Sequence, residues 1–246
     1  MNVPGEVWLI AFSRHGSARY LSHLDTARAL QRTLARAGVQ LRLSQGMRPK
    51  PRLSLGLPLP VGVEGVFELA VAGVADSGGE PDALERLRAG SPPGLSILAL
   101  DPSPMTSRLR PERAVYEGLV AAEPAAMEAA ISRYLAATTC VVTRVKPDGE
   151  RDVDVRRSID TVVVEADAAP HQTPRVRLGF VIRHRGDGAA RPAELLAALG
   201  ACGAPPIPSV DAAGRPAFAD LVRIGVTYAG MKPLGPVEEW LERHGC

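Results

Sequence analysis

A chain of 246 residues with 46% apolar side chains and a net charge of +2 can build one large domain or two small ones around a real core. It holds no run of eighteen apolar residues, and MNVPGEVWLIAF has no basic n-region, so neither a membrane helix nor a signal peptide is expected and the location expected is cytoplasmic. Three widely spaced cysteines, Cys140, Cys202 and Cys246, argue against a disulfide framework and show no metal-ligand spacing, so no metal site is expected.

In chain order, EVWLIAF (6–12) reads as a strand ended by the turn-like SRHGS. Ser22 is placed as a helix N-cap with Asp25 three residues on, and the helix is expected to run to about Ala37, with Leu24, Ala27, Leu30 and Leu34 on one side and Gly38 to stop it. Val39 to Leu43 alternates like a strand, and SQGMRPKPR follows. Pro49 and Pro51 favour an extended course there, Gly46 permits a turn at its base, and Arg48, Lys50 and Arg52 are expected on a stiff arm.

A strand at 65–74, a helix at 81–89 and a strand at 95–100 complete a first half. The proline-rich DPSPMTSRLRP (101–111) reads as a linker. The second half repeats the pattern: strand 113–121, helix 124–136, strands 138–146, 159–165 and 175–184, a hairpin turn at GDG (186–188), a helix from Pro192 to Gly200 and a strand 221–228. The expected fold class is α+β, as two ferredoxin-like (βαββαβ) halves, residues 1–103 and 112–246.

Charge is distributed unevenly over this pattern. From Arg14 to Arg52 there are eight arginines, one lysine and one acid, a local +8, so the remainder sums to −6. Arginine outnumbers lysine 26 to 3, which a GC-rich coding sequence would produce, but codon bias does not gather charge into one window. Arg28, Arg32 and Arg36 recur every fourth residue and form one stripe, either a solvated helix face or a surface that takes its counter-charge from nucleic acid phosphate. A helix start with Arg19 and His23 beside it is either an anion site or an ordinary strand-to-helix turn. His23 can donate to phosphate, act as a general acid or base, or simply be exposed, whereas Ser22 and Asp25 are explained by capping. In RDVDVRRSID, Asp152 and Asp154 share a strand face and suit either a cation or a ladder of surface ion pairs; Asp154 and Arg156 are the second patch to test. With 4% aromatic residues, base stacking is a poor mode of binding, and phosphate contacts and shape are expected to dominate.

The blocks RYLSHLDTARALQRTLARAG, LSQGMRPKPRLSLGLPLPVGVEG and FELAV, with RDVDVRRSID and RPAELLAAL further on, resemble the radical-SAM-linked family defined by the domain of unknown function numbered 2344. One departure is Met47, where that pattern leads one to expect an aromatic. The resemblance implies an accessory role beside a radical SAM protein in RNA- or ribosome-linked modification. The cysteine spacing lacks C-x-x-x-C-x-x-C, so the iron–sulfur cluster and SAM would belong to that partner and this chain would carry no cofactor. The expectation is therefore a non-catalytic RNA-binding or substrate-presenting protein, with Arg19, His23, Arg28, Arg32, Arg36, Arg48, Lys50 and Arg52 on phosphate. The alternatives are a metal-independent RNA-processing enzyme using His15 or His23, and a module that docks only an acidic protein.

Overall fold

The computed structural model describes residues 6–78, 82–102, 108–147, 149–167, 174–184, 188–204 and 218–246. The expected helix start at Pro81, residues 103–107 of the linker and residues 186–187 of the GDG turn lie outside them. The fold is mixed α/β, with five α-helices among the described residues. Two compact units are formed, Met1–Pro111 with Gly225–Pro236, and Glu112–Ile224 with Val237–Cys246.

In the first unit the elements are β1 (Val7–Arg14), α1 (His23–Arg36), β2 (Gln40–Leu41), β3 (Leu53–Leu55), β4 (Glu64–Asp76), α2 (Ala83–Gly90) and β5 (Leu95–Asp101). β1 lies between β5 and β4, antiparallel to both, and β2 and β3 also pair antiparallel with β4. The period of two along each strand sends Trp8, Ile10 and Phe12 from β1 and Ala70, Ala72 and Val74 from β4 to the face where Leu30 and Leu34 of α1 and Leu87 of α2 pack. Burying each of these leucines contributes roughly 2 kcal/mol.

The buried face of α1 is rotated from the expected one. It is Thr26, Ala29, Leu30, Thr33 and Leu34, while Leu24 is 65% exposed. Leu24 stands four residues before Arg28 and so falls on the arginine stripe, and the threonine methyls serve as the apolar surface instead.

The second unit contains β6 (Pro111–Ala121), α3 (Pro124–Ala136), β7 (Val141–Lys146), β8 (Gly149–Asp154), β9 (Thr161–Ala166), β10 (Arg175–Arg183), α4 (Pro192–Ala201), the first part of β11 (Ala219–Tyr228) and α5 (Pro236–Arg243). Its strands run β11-β6-β10-β9, with β7 and β8 forming a separate hairpin. A fork pair from Arg144 to Glu194 fastens that hairpin to the start of α4.

β8 is the strand on which Asp152 and Asp154 were placed, whereas β3 and α5 were not expected from the sequence; α5 opens on Pro236 and buries Val237, Trp240 and Leu241 against Val115 of β6 and Val181 of β10. Gly179 admits the indole: a Cβ there would stand 2.8 Å from Trp240 Cζ2, and the indole N–H donates to Glu117 Oε1 at 2.7 Å.

His184, just past β10, has its Nε2 shut away from solvent with no hydrogen-bond partner among the described residues. Burial, and then the positive charge of Arg223, hold its pKa down to about 4 against the usual 6.5. The unfolded chain therefore takes up this proton first. Stability is expected to be full above about pH 6.5 and to fall by about 1–2 kcal/mol, after allowance for solvent screening, as pH drops to about 4. Urea midpoints across that range should show a shallower fall in His184→Gln than in the wild type; parallel curves would refute it.

Candidate functional site

The start of α1 is built as its residues dictate. Ser22 Oγ accepts from Asp25 N at 3.1 Å and donates to Asp25 Oδ2 at 2.7 Å. The Ser22 hydroxyl, and then Arg28, hold the Asp25 carboxyl below the usual carboxylate range. His23 lines a small hollow together with Arg14, Thr26, Gly56 and Glu68. His15, the other candidate acid or base, is exposed, with Nε2 3.5 Å from Ser96 Oγ.

Arg14 does not belong to a basic surface. It follows Trp8, Ile10 and Phe12 at the strand period and is 2% exposed. Its Nη1 donates to Leu21 O and Thr26 Oγ1, both at 2.9 Å, and its Nη2 to Pro60 O at 3.3 Å. The guanidinium thus joins β1, the start of α1 and the loop before β4.

The arginine stripe on α1 is partly engaged within the protein. Arg28 pairs with Asp25 at 3.0 Å, and Arg36 donates to Gly90 O at 3.3 Å, at the end of α2. Arg19 donates to Tyr20 Oη at 2.9 Å and stands 3.8 Å from Glu64. Arg32 is exposed and has no polar partner among the described residues.

The proline arm closes on itself and does not extend. Ser44 N donates to Lys50 O at 2.8 Å, Lys50 N to Ser44 Oγ at 3.0 Å, and Leu43 bridges Pro51. Gly46 turns at φ 128°, and Met47 stands fully exposed beside it. Arg48, Lys50 and Arg52 are exposed on this loop, and none has a carboxylate partner among the described residues.

The basic residues are also split between two faces. Because Ala72 and Val74 point toward α1, Gly73 and Val71 open on the opposite face of the sheet. That face carries an open groove lined by Arg42, Arg52, Ser54 and Arg108 as well as Val7 and Val71. Sequence reading passed over Arg42 and Arg108. Arg42 had a visible signal, since in VQLRL it alternates with Leu41 and Leu43 and so points away from them.

The second patch is consumed by backbone. Asp154 Oδ1 accepts from Cys140 N at 2.9 Å and from Arg156 N at 3.1 Å. Arg156 donates to Leu135 O, Ala137 O and Ile159 O and lies 5.4 Å from the centre of the Tyr134 ring. These bonds close the end of α3 and leave little for a ligand. Among the described residues no group of three His, Cys, Asp or Glu is placed to hold a metal ion.

A family model described as "Uncharacterized protein conserved in bacteria (DUF2344)" matches residues 8–192. The chain belongs to this family. The DUF2344 match takes in α1, the arm, the groove apart from Val7, and the Asp154–Arg156 segment. No curated protein matches the chain significantly. Among solved structures it is similar to an unknown protein from Galdieria sulphuraria, 12% identical, with 80% of this chain and 88% of that one covered and a TM-score of 0.24. No described helix is long and apolar enough to cross a membrane.

Proposed function

We propose that this DUF2344 chain is a non-catalytic, cytoplasmic RNA-binding or substrate-presenting protein. It works beside a radical SAM protein that supplies the iron–sulfur cluster and SAM in RNA- or ribosome-linked modification. The observation that carries the reading is the closed arm, which displays Arg48, Lys50 and Arg52 with no carboxylate partner among the described residues, next to Arg42 at its base. Cations that no described carboxylate neutralises, on a loop tied at both ends, are suited to phosphate contacts that position a strand without reading its bases. We further propose that both units are ferredoxin-like, supported by the shared order of strands: last, first, third, second, with β2 and β3 together in the second place of the first unit.

Reversing the arm charges tests the function. In Arg48→Glu with Lys50→Glu, affinity for single-stranded RNA is expected to fall by more than about tenfold, and the slope of log K against log salt to flatten by roughly 1.4, two contacts' worth. Arg32→Glu, on the helix-covered face of the sheet, should change both by less. Fluorescence anisotropy between about 50 and 200 mM salt measures it. An unchanged slope in the double reversal would sink the RNA reading and favour an acidic protein partner.

A further inference from the structure

Gly73 is the point where β4 and the two ends of the arm meet. Arg42 N donates to Gly73 O at 2.7 Å, Gly73 N to Arg52 O at 2.8 Å, and Arg52 N to Arg42 O at 2.7 Å. Three backbones tied this closely send the side chains of Arg42 and Arg52 out from one place. They lie across the bare glycine: a Cβ on Gly73 would be 3.2 Å from Arg52 Cβ and 3.3 Å from Arg42 Nε.

Arg42 Nη2 donates to Glu6 O at 3.3 Å, while its Nε is buried and has no hydrogen-bond partner among the described residues. A buried donor without an acceptor is a costly thing to keep, so an acceptor supplied from outside is the economical explanation. Arg52 and Ser54, two residues apart on one strand face, stand beside it, and no carboxylate lines the groove among the described residues. Val7 and Val71 supply an apolar floor.

We infer that this groove holds a phosphoryl group of a nucleotide, clasped between the guanidinium groups of Arg42 and Arg52 with the Ser54 hydroxyl donating to it, and the ribose or base lying over Val7 and Val71. Planar guanidinium forks match phosphate oxygens, and two of them suit a group of nearly two negative charges better than a single carboxylate. The valine floor accounts for an attached organic part, which inorganic phosphate lacks. The choice of a nucleotide over free phosphate rests on the RNA reading above.

Calorimetric titration of the full chain with AMP, adenosine and inorganic phosphate tests it. AMP should bind at least about tenfold more tightly than either of the others, as expected for charge-assisted hydrogen bonds to the phosphate plus contact with the floor. Arg52→Gln, which alters an exposed side chain, should lower AMP affinity by about tenfold or more, and Arg42→Gln by a similar factor, while Arg32→Gln leaves it unchanged. Equal binding of AMP and adenosine, or an Arg52→Gln protein that binds AMP like the wild type, would overturn the inference. Inorganic phosphate binding as tightly as AMP would overturn the nucleotide assignment. The two readings separate cleanly: RNA binding lost on arm reversal with no AMP binding at all sinks the groove and keeps the RNA reading. AMP binding through Arg42 and Arg52 without RNA binding does the reverse.

Discussion

Arg14→Met is expected to lower the free energy of unfolding by roughly 3–5 kcal/mol. Methionine replaces much of the volume but none of the donors. Leu21 O, Thr26 Oγ1 and Pro60 O would each lose a bond of 2.9–3.3 Å, and Val63 O a longer one. Buried acceptors left dry cost about 1–3 kcal/mol each, moderated where water can enter. Glu68, 5% exposed and lining the same hollow, would keep its carboxylate beside a neutral side chain. Arg14→Lys should fall between, since the charge survives but the fork does not. Urea denaturation of the three proteins measures the order, and a loss under about 1 kcal/mol for methionine would mean that the guanidinium is replaceable by solvent.

The second large effect is steric. A Cβ at Gly56 would sit 2.0 Å from the Tyr228 hydroxyl oxygen and 3.2 Å from Leu69 O, so Gly56→Ala is expected to cost roughly 2–3 kcal/mol. Tyr228→Phe removes the oxygen and with it the acceptor that Leu57 N reaches at 3.4 Å, costing roughly 1 kcal/mol alone. Combined, the two changes should cost less than Gly56→Ala by itself, an interaction that a double-mutant cycle reads directly. Additive losses would show that the backbone at Leu69, and not the phenol, is what excludes a side chain at Gly56.

Much of the secondary structure was legible because it rests on local signals. Ser22 and Asp25 cap α1 by bonds between residues three apart, and Pro124 and Pro192 each open a helix as the position of proline there implies. The site was less legible, for two physical reasons. Charge counted along a sequence does not show which cations the fold will use itself: Arg14 is buried by strand alternation, and Arg28, Arg36 and Arg156 are taken up by a carboxylate or by helix-end carbonyls. Nor does it show what a sheet brings together, since Arg42 and Arg52 are tied to each other and to Gly73 of β4, and Arg108 lines the same groove from far along the chain. α5 was missed because eight residues carry too few turns to display a period, although Val237, Trp240 and Leu241 have the spacing.

Residues 225–236 complete the N-terminal unit although 113 residues of the other unit separate them from its main body. On a ribosome working at about 5–20 residues per second, that separation is a wait of roughly 6–23 s. Throughout it, the seat for Tyr228 against Gly56 is empty, and Phe67 lacks Gly235, whose α-carbon it approaches so closely that a Cβ would be 2.8 Å from the ring. The unit begun first is therefore incomplete until residue 236 has been made. A nascent chain in this condition presents an open apolar seam to chaperones and to proteases for nearly half of its synthesis, and a fragment ending anywhere before Gly225 would keep that seam permanently.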